Sequence, residues 1–280
     1  MTDWATKTWF VTGASTGFGR AFVETALEGG GRVIATARDT GALAYLEGAG
    51  DRALALRLDV TRQDEIDAAV AAASDFGGFD VLVNNAGYGF LGGVEEAGVE
   101  EIEAQFAVNF FGALHVTRAA LPVLRERGEA FILNISSIAG LRSFPGAAFY
   151  SATKFALEGM SEGLAPEVAK FGIKVMIVEP GYFRTDFQGR SIGMTANAHP
   201  AYPELVEARS RVREGDGKQP GDPKRGVAAI IRAMGSEAPP MRLPLGADGS
   251  QIAHAATQAR LAEIEKWQAV SADTLFVDRA

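Results

Sequence analysis

Cysteine is missing from the chain altogether. That removes disulfides, thiolate metal sites and cysteine nucleophiles, and leaves the compartment open. Histidine is nearly missing too. His115, His199 and His254 show no metal-ligand spacing, so no metal centre is expected. The amino-terminal residues lack a basic segment followed by an apolar core, so no signal peptide is expected. No run approaches the ~20 apolar residues of a membrane span. A cytoplasmic protein without membrane attachment is the expectation. Positive charge is in deficit: the formal net charge is −8. A polyphosphate backbone would be repelled, which argues against a nucleic-acid partner. Repeats and interdomain linkers are also absent. The 280 residues therefore read as one large domain with a substantial core.

What is present is a rhythm of short apolar runs and helical stretches. Residues 7–12, 32–37, 53–60, 80–83, 130–135 and 173–178 read as strands. Residues 20–28, 64–74, 100–127 and 148–171 read as the helices between them; the third is open to a break into two, with Pro122 expected to kink or punctuate its second part. Near-continuous apolar strands imply helices on both faces. The fold class expected is α/β: a Rossmann-type, doubly wound, mostly parallel sheet. After Pro180-Gly181 the rhythm breaks. Residues 187–223 mix glycine and proline with one short helix near 204–213, as in a substrate lid with mobile connections. Residues 226–234 read as a helix and 242–245 as an edge strand. An amphipathic helix over 251–269 lies in a carboxy-terminal extension of about 246–280.

Tyr150 and Lys154 are four residues apart, and Ser137 lies thirteen residues upstream. On a helix the phenol and the ammonium share one face. An ordinary phenol, with a pKa near ~10, is a sluggish acid or base at neutral pH. A neighbouring cation favours the phenolate and lowers that value. Such a tyrosine can protonate a developing alkoxide or deprotonate an alcohol. This is carbonyl and alcohol chemistry, provided a hydride carrier binds.

The first strand–helix junction supplies a place for one. It reads Thr12-Gly13-Ala14-Ser15-Thr16-Gly17-Phe18-Gly19. Glycines let the backbone approach a pyrophosphate, and a helix amino terminus favours its charge. The G-x-x-x-G-x-G spacing is one residue longer than the usual dinucleotide fingerprint. At the end of the second strand stand Ala37-Arg38-Asp39. An acidic residue first in that stretch would select NAD, whereas neutral Ala37 followed by Arg38 favours NADP(H) over NAD(H). Asp39 weakens the local positive potential.

Together these residues resemble the short-chain dehydrogenase/reductase family in its compact single-domain branch, over about residues 7–187. The resemblance implies a cofactor loop of Gly13, Ser15, Thr16, Gly17, Phe18 and Gly19. It places Asp59 and Val60 at the adenine, and Asn85, Ala86 and Gly87 near the adenosine ribose. Pro180, Gly181, Phe183 and Thr185 would hold the nicotinamide amide. The implied catalytic set is Asn109, Ser137, Tyr150 and Lys154. Ser137 orients the substrate oxygen and Tyr150 exchanges its proton. Lys154 lowers the tyrosine pKa and binds the nicotinamide ribose. Asn109 keeps a water that links Lys154 to solvent. The resemblance also implies a homodimer or homotetramer paired through the two long helices. The stretches at 33–38 and 84–89 look like the branch with steroid- and retinol-type dehydrogenases. Tyr88, Phe90, Phe144, Phe149, Tyr182 and Phe187 are candidate walls for an apolar small-molecule carbonyl or alcohol. A non-catalytic NADP(H)-binding sensor and a sugar-nucleotide epimerase or dehydratase are the other readings. The intact Tyr/Lys pair disfavours the first, and the glycine spacing and short tail disfavour the second.

Overall fold

The computed structural model describes residues 2–274 and 276. The carboxy-terminal part of the extension expected to reach 280 therefore lies partly outside the described residues. Seven strands form one parallel sheet in the order β3-β2-β1-β4-β6-β7-β9. They are β1 (Thr8–Val11), β2 (Arg32–Ala37), β3 (Ala53–Arg57), β4 (Val81–Asn84), β6 (Ala130–Ile135), β7 (Ile173–Pro180) and β9 (Arg242–Leu245). Every residue of β1, β4 and β6 is buried. This is what two covered faces require of a strand. One face carries α1 (Gly17–Glu28) and α7 (Pro223–Met234), whose Phe22, Val23, Val227 and Ile230 pack with Trp9 and Val11. The other carries α2 (Gln63–Asp75), α4 (Ala113–Arg127) and α5 (Ala148–Ala169), with Ile66, Val116, Leu124 and Val168 against Phe10 and Leu82.

The sheet order reverses direction between β1 and β4. The carboxyl ends of those strands therefore open a crevice, the usual ligand position in such a sheet.

Several expectations change. α3 (Val99–Phe106) and α4 are joined through a π-helical turn, Ala107–Gly112, while Pro122 sits inside α4 without ending it. The whole run Val99–Arg127 is, by length and hydropathy, long enough to cross a bilayer, contrary to the sequence expectation. It packs as a core helix instead: Val116, Ala120 and Leu124 are fully buried. A second, two-stranded parallel sheet joins β5 (Gly89–Leu91) to β8 (Ile192–Met194). It fastens the glycine-rich segment after β7, with its helix α6 (Pro203–Glu214), to the body of the fold. The last helix, α8 (Ala247–Ser271), buries Gly249 and Ala253 near its start, and its Arg260 donates to the Leu141 carbonyl at 3.0 Å. Leu261, Ile264, Trp267 and Val270 are exposed. Their spacing of three residues drifts by ~60° per step around a helix, so they form no single stripe.

Candidate active site

At the crevice, β1 runs into Gly13, whose φ of +66° needs a residue without a side chain. Gly19 is required for a different reason. A Cβ there would lie 2.2 Å from the Gly13 carbonyl oxygen. The loop therefore folds tightly onto the first turn of α1. Thr16 precedes that turn without capping it, and the turn contains no acidic residue. Its amino-terminal N–H groups are thus left for an anion, and a pyrophosphate fits there. Asn85 braces the loop from β4, donating from Nδ2 to the carbonyls of Thr12 (2.9 Å) and Gly13 (3.0 Å).

A cleft of 1740 Å³ runs from this loop across the carboxyl edge of the sheet. Gly13, Ser15, Thr16, Gly17, Phe18, Arg38, Asp59, Val60, Asn85, Ala86 and Gly87 line one part of it. Ser137, Tyr150, Lys154, Pro180, Gly181, Phe183 and Thr185 line the rest. Gly19 and Asn109 lie behind the wall, not in it. Of the proposed aromatic walls, Tyr88, Phe90, Phe144, Tyr182 and Phe187 face the cleft. Phe149 does not, because it precedes Tyr150 on α5 by one residue and so sits about 100° around the axis from it.

Asn109 projects from the π turn. Its Oδ1 accepts from the Tyr88 N–H (3.0 Å), and its Nδ2 donates to the Tyr88 carbonyl (2.9 Å) and to Thr153 Oγ1 (3.2 Å). It thereby ties the β4–β5 connection to α5. Ser137 Oγ accepts from the Ala139 N–H at 3.1 Å, capping the turn Ile138–Gly140. Its single O–H is directed at the Tyr150 phenol within the cleft. Lys154 is buried, and its Nζ donates to the Ile135 carbonyl at 2.8 Å.

The electrostatics differ from the sequence expectation. Burial pushes the Tyr150 phenol up to about 12, with a hydrogen bond from Ser137 acting in the opposite direction. Burial pushes Lys154 down to about 8, opposed by the negative charge of Glu158. The Lys154 ammonium stands 5.7 Å from the Tyr150 ring centroid. In this site desolvation outweighs the Ser137 hydrogen bond to the phenol. Tyr150 is therefore held in its protonated, donor form across neutral pH.

Gln188, Ile192, Leu205, Ala208 and Val212, all within the segment expected as a lid, also line the cleft. Sequence reasoning missed Glu96 and Arg209, which pair at 2.6 Å, Arg209 itself lining the cleft. No local pattern announces either, since the partners are far apart in sequence.

The family model described as short chain dehydrogenase matches residues 7–194. An oxidoreductase of Botryotinia fuckeliana, BOA17, is 36% identical over 95% of this chain and 98% of its own length. A short-chain dehydrogenase from Streptomyces avermitilis superposes with a TM-score of 0.90 at 47% identity, covering 97% of this chain and all of its own. A short chain dehydrogenase from Burkholderia cenocepacia, solved with NADP, gives 0.74 at 27% identity over 93% of this chain and 97% of that one. One from Burkholderia phymatum, solved with NAD, gives 0.76 at 25% identity over 97% of both.

Proposed function

Since the chain belongs to the short-chain dehydrogenase/reductase family, we propose that it is an NADP(H)-dependent oxidoreductase. It interconverts a ketone or aldehyde and an alcohol, with Tyr150 as general acid/base. The observation that carries this reading is the meeting of Ser137, Tyr150 and Lys154 with the bare glycine loop in one cleft. At 1740 Å³ the cleft exceeds the roughly 300–1,000 Å³ of a single-ligand pocket, so it accommodates cofactor and substrate side by side.

The glycine loop and the first turn of α1 would hold the pyrophosphate, and Pro180, Gly181, Phe183 and Thr185 the nicotinamide end. When bound, the nicotinamide supplies or accepts the hydride. The chain's own residues do the rest. Ser137 donates a hydrogen bond to the substrate oxygen and fixes its position. Tyr150 Oη gives that oxygen its proton in reduction and takes it back in oxidation. Lys154 holds a positive charge beside the phenol and the nicotinamide ribose, and Asn109 sets the backbone through which it reaches solvent. Residues 187–223 act as the substrate lid. The aromatic walls favour an apolar substrate.

Preference for NADP(H) rests on Arg38. It lines the cleft at the end of β2 and forms no ion pair among the described residues. Asp39 also lines the cleft, with its Oδ1 accepting from the Gly41 N–H at 2.9 Å as the cap of the next segment. Arg57, paired with Glu65 at 3.2 Å, donates to the Arg38 carbonyl at 2.6 Å and so braces the Arg38 backbone. In this reading the protein works in the cytoplasm as a homodimer or homotetramer, paired near α4 and α5, where Phe111 and Phe155 are exposed. Titration of NADPH and NADH into the wild type and Arg38→Ala tests the cofactor assignment. The variant should lose about tenfold in NADPH affinity, the effect of one charge-assisted phosphate contact, with NADH little changed. An unchanged NADPH preference removes Arg38 as the discriminator.

A further inference from the structure

One turn beyond Lys154 on α5 stands Glu158, buried to 3% exposure. None of the chemistry above uses it. Its Oε1 accepts from Ser136 Oγ at 2.5 Å. Its Oε2 pairs with Arg242 of β9. The turn that follows Ser137 packs directly on the same carboxylate: a Cβ at Gly140 would fall 1.9 Å from Glu158 Oε1 and 2.7 Å from Ser136 Oγ. Ser137 is thus gripped on both sides, by Ser136 before it and Gly140 after it, through one carboxylate.

Arg242 extends the grip. Its Nη1 also meets Glu179 Oε1 at 2.6 Å, and its Nη2 meets Glu162 Oε1 at 2.8 Å. Glu179 immediately precedes Pro180 at the end of β7. One guanidinium therefore joins the helix of Tyr150 and Lys154 to the strand that delivers the Pro180-Gly181 segment. The charged group that acts on Lys154 is Glu158, one turn on along α5, and Arg242 of β9 links that carboxylate to Glu162 on α5 and Glu179 on β7. From β6 and the turn after it come only neutral groups, the Ile135 carbonyl and the two serine hydroxyls. Glu158, Glu162 and Glu179 share one guanidinium, burial holds the Glu179 carboxyl up at about 7, and the Glu158 charge still acts on the buried ammonium.

We propose that Glu158, clamped by Arg242, is a positioning residue for this site: it fixes the Ser136–Ser137 turn against α5 and is the counter-charge of Lys154. The proposal rests on the reading of Ser137, Tyr150 and Lys154 as the reacting set. Its test does not depend on turnover. Lysine labelled with ¹³C at Cε is titrated by NMR in the full chain, and the Lys154 signal is assigned by its loss in Lys154→Arg.

Glu158→Gln should lower the Lys154 midpoint by about one pH unit, and Glu158→Asp by less than half of that. Arg242→Met, which removes the competing cation, should move the midpoint upward. A mere loosening of the fold gives no such pair of opposite shifts. In turnover, Glu158→Gln should lower kcat about tenfold, with the cofactor KM held within about threefold. An unmoved Lys154 midpoint in folded Glu158→Gln overturns the proposal. If that variant does not fold, an unmoved or lowered midpoint in Arg242→Met overturns it instead. Retained turnover in Tyr150→Phe would defeat the functional reading alone, because the lysine titration decides Glu158 independently.

Discussion

Replacing Arg209 by methionine strands a carboxylate. The Glu96 side chain has no exposed surface, and its Oε2 meets Arg209 Nη1 at 2.6 Å. The same carboxylate accepts from the Gly93 N–H at 2.8 Å and the His199 N–H at 3.1 Å. The Glu96 carbonyl accepts from Asn197 Nδ2 at 3.0 Å. One residue thus holds together the turn after β5, the chain after β8, and α6. Arg209 is the largest cause that keeps the Glu96 carboxyl down at about 2. Removing one partner of a buried pair costs about 3–5 kcal/mol. The two remaining N–H donors place this case at the lower end, about 3 kcal/mol. If the domain melts as one unit, the midpoint falls by roughly 6–12 °C.

If only the segment after β7 yields, the same energy raises its open population by about two orders of magnitude. Thermal melts and limited trypsin digestion, which reads cleavage after Arg211, Arg213 and Lys218, separate these outcomes. The double variant Glu96→Gln/Arg209→Met buries no charge and should recover at least half of the loss. The pH dependence has a definite sign. Glu96 has a lowered folded pKa, so its contribution is present above the ordinary value of 4.5 and is lost as pH falls toward about 2. The penalty in Arg209→Met should therefore shrink below pH 4.5. Unchanged melting and digestion in Arg209→Met, or a double variant worse than the single, would refute the reasoning.

Two further outcomes are expected. Lys154 is held near 8, against an ordinary 10.5, so between those values the unfolded chain keeps a proton that the native state has shed. Stability of the wild type should rise with pH through that window relative to Lys154→Met, the opposing effect of Tyr150 above about pH 10 being common to both proteins. Urea unfolding at two pH values measures it. Asp222 caps α7 by accepting from the Lys224 N–H at 2.9 Å. Asp222→Ala should cost about 1 kcal/mol in the same assay.

The strands that form the sheet were legible because each is a short apolar run between breakers. Even the edge strand Arg242–Leu245 follows from its sequence. The residues that line the cleft were legible for a different reason. Glycines at a strand–helix junction and a tyrosine four before a lysine are local patterns with direct chemical meaning. What escaped is non-local. β5 and β8 are three residues each and contain glycine, and neither predicts a partner about a hundred positions away. Glu96 and Arg209 are separated in the same way. The phenol's state escaped because spacing tells only that a cation is near. Whether attraction or desolvation wins depends on burial, and burial belongs to the fold. The position of Asn109 depends on the π turn, which changes the register of every side chain after it.

The most direct test of the central claim is turnover by Tyr150→Phe. NADPH oxidation is followed by absorbance with a panel of apolar ketones, alongside NADPH binding by fluorescence. The account predicts that the wild type reduces a ketone. The variant should bind NADPH normally and turn over at least about 10²-fold more slowly, the contribution of a lost general acid. Turnover in Tyr150→Phe equal to the wild type would contradict the account.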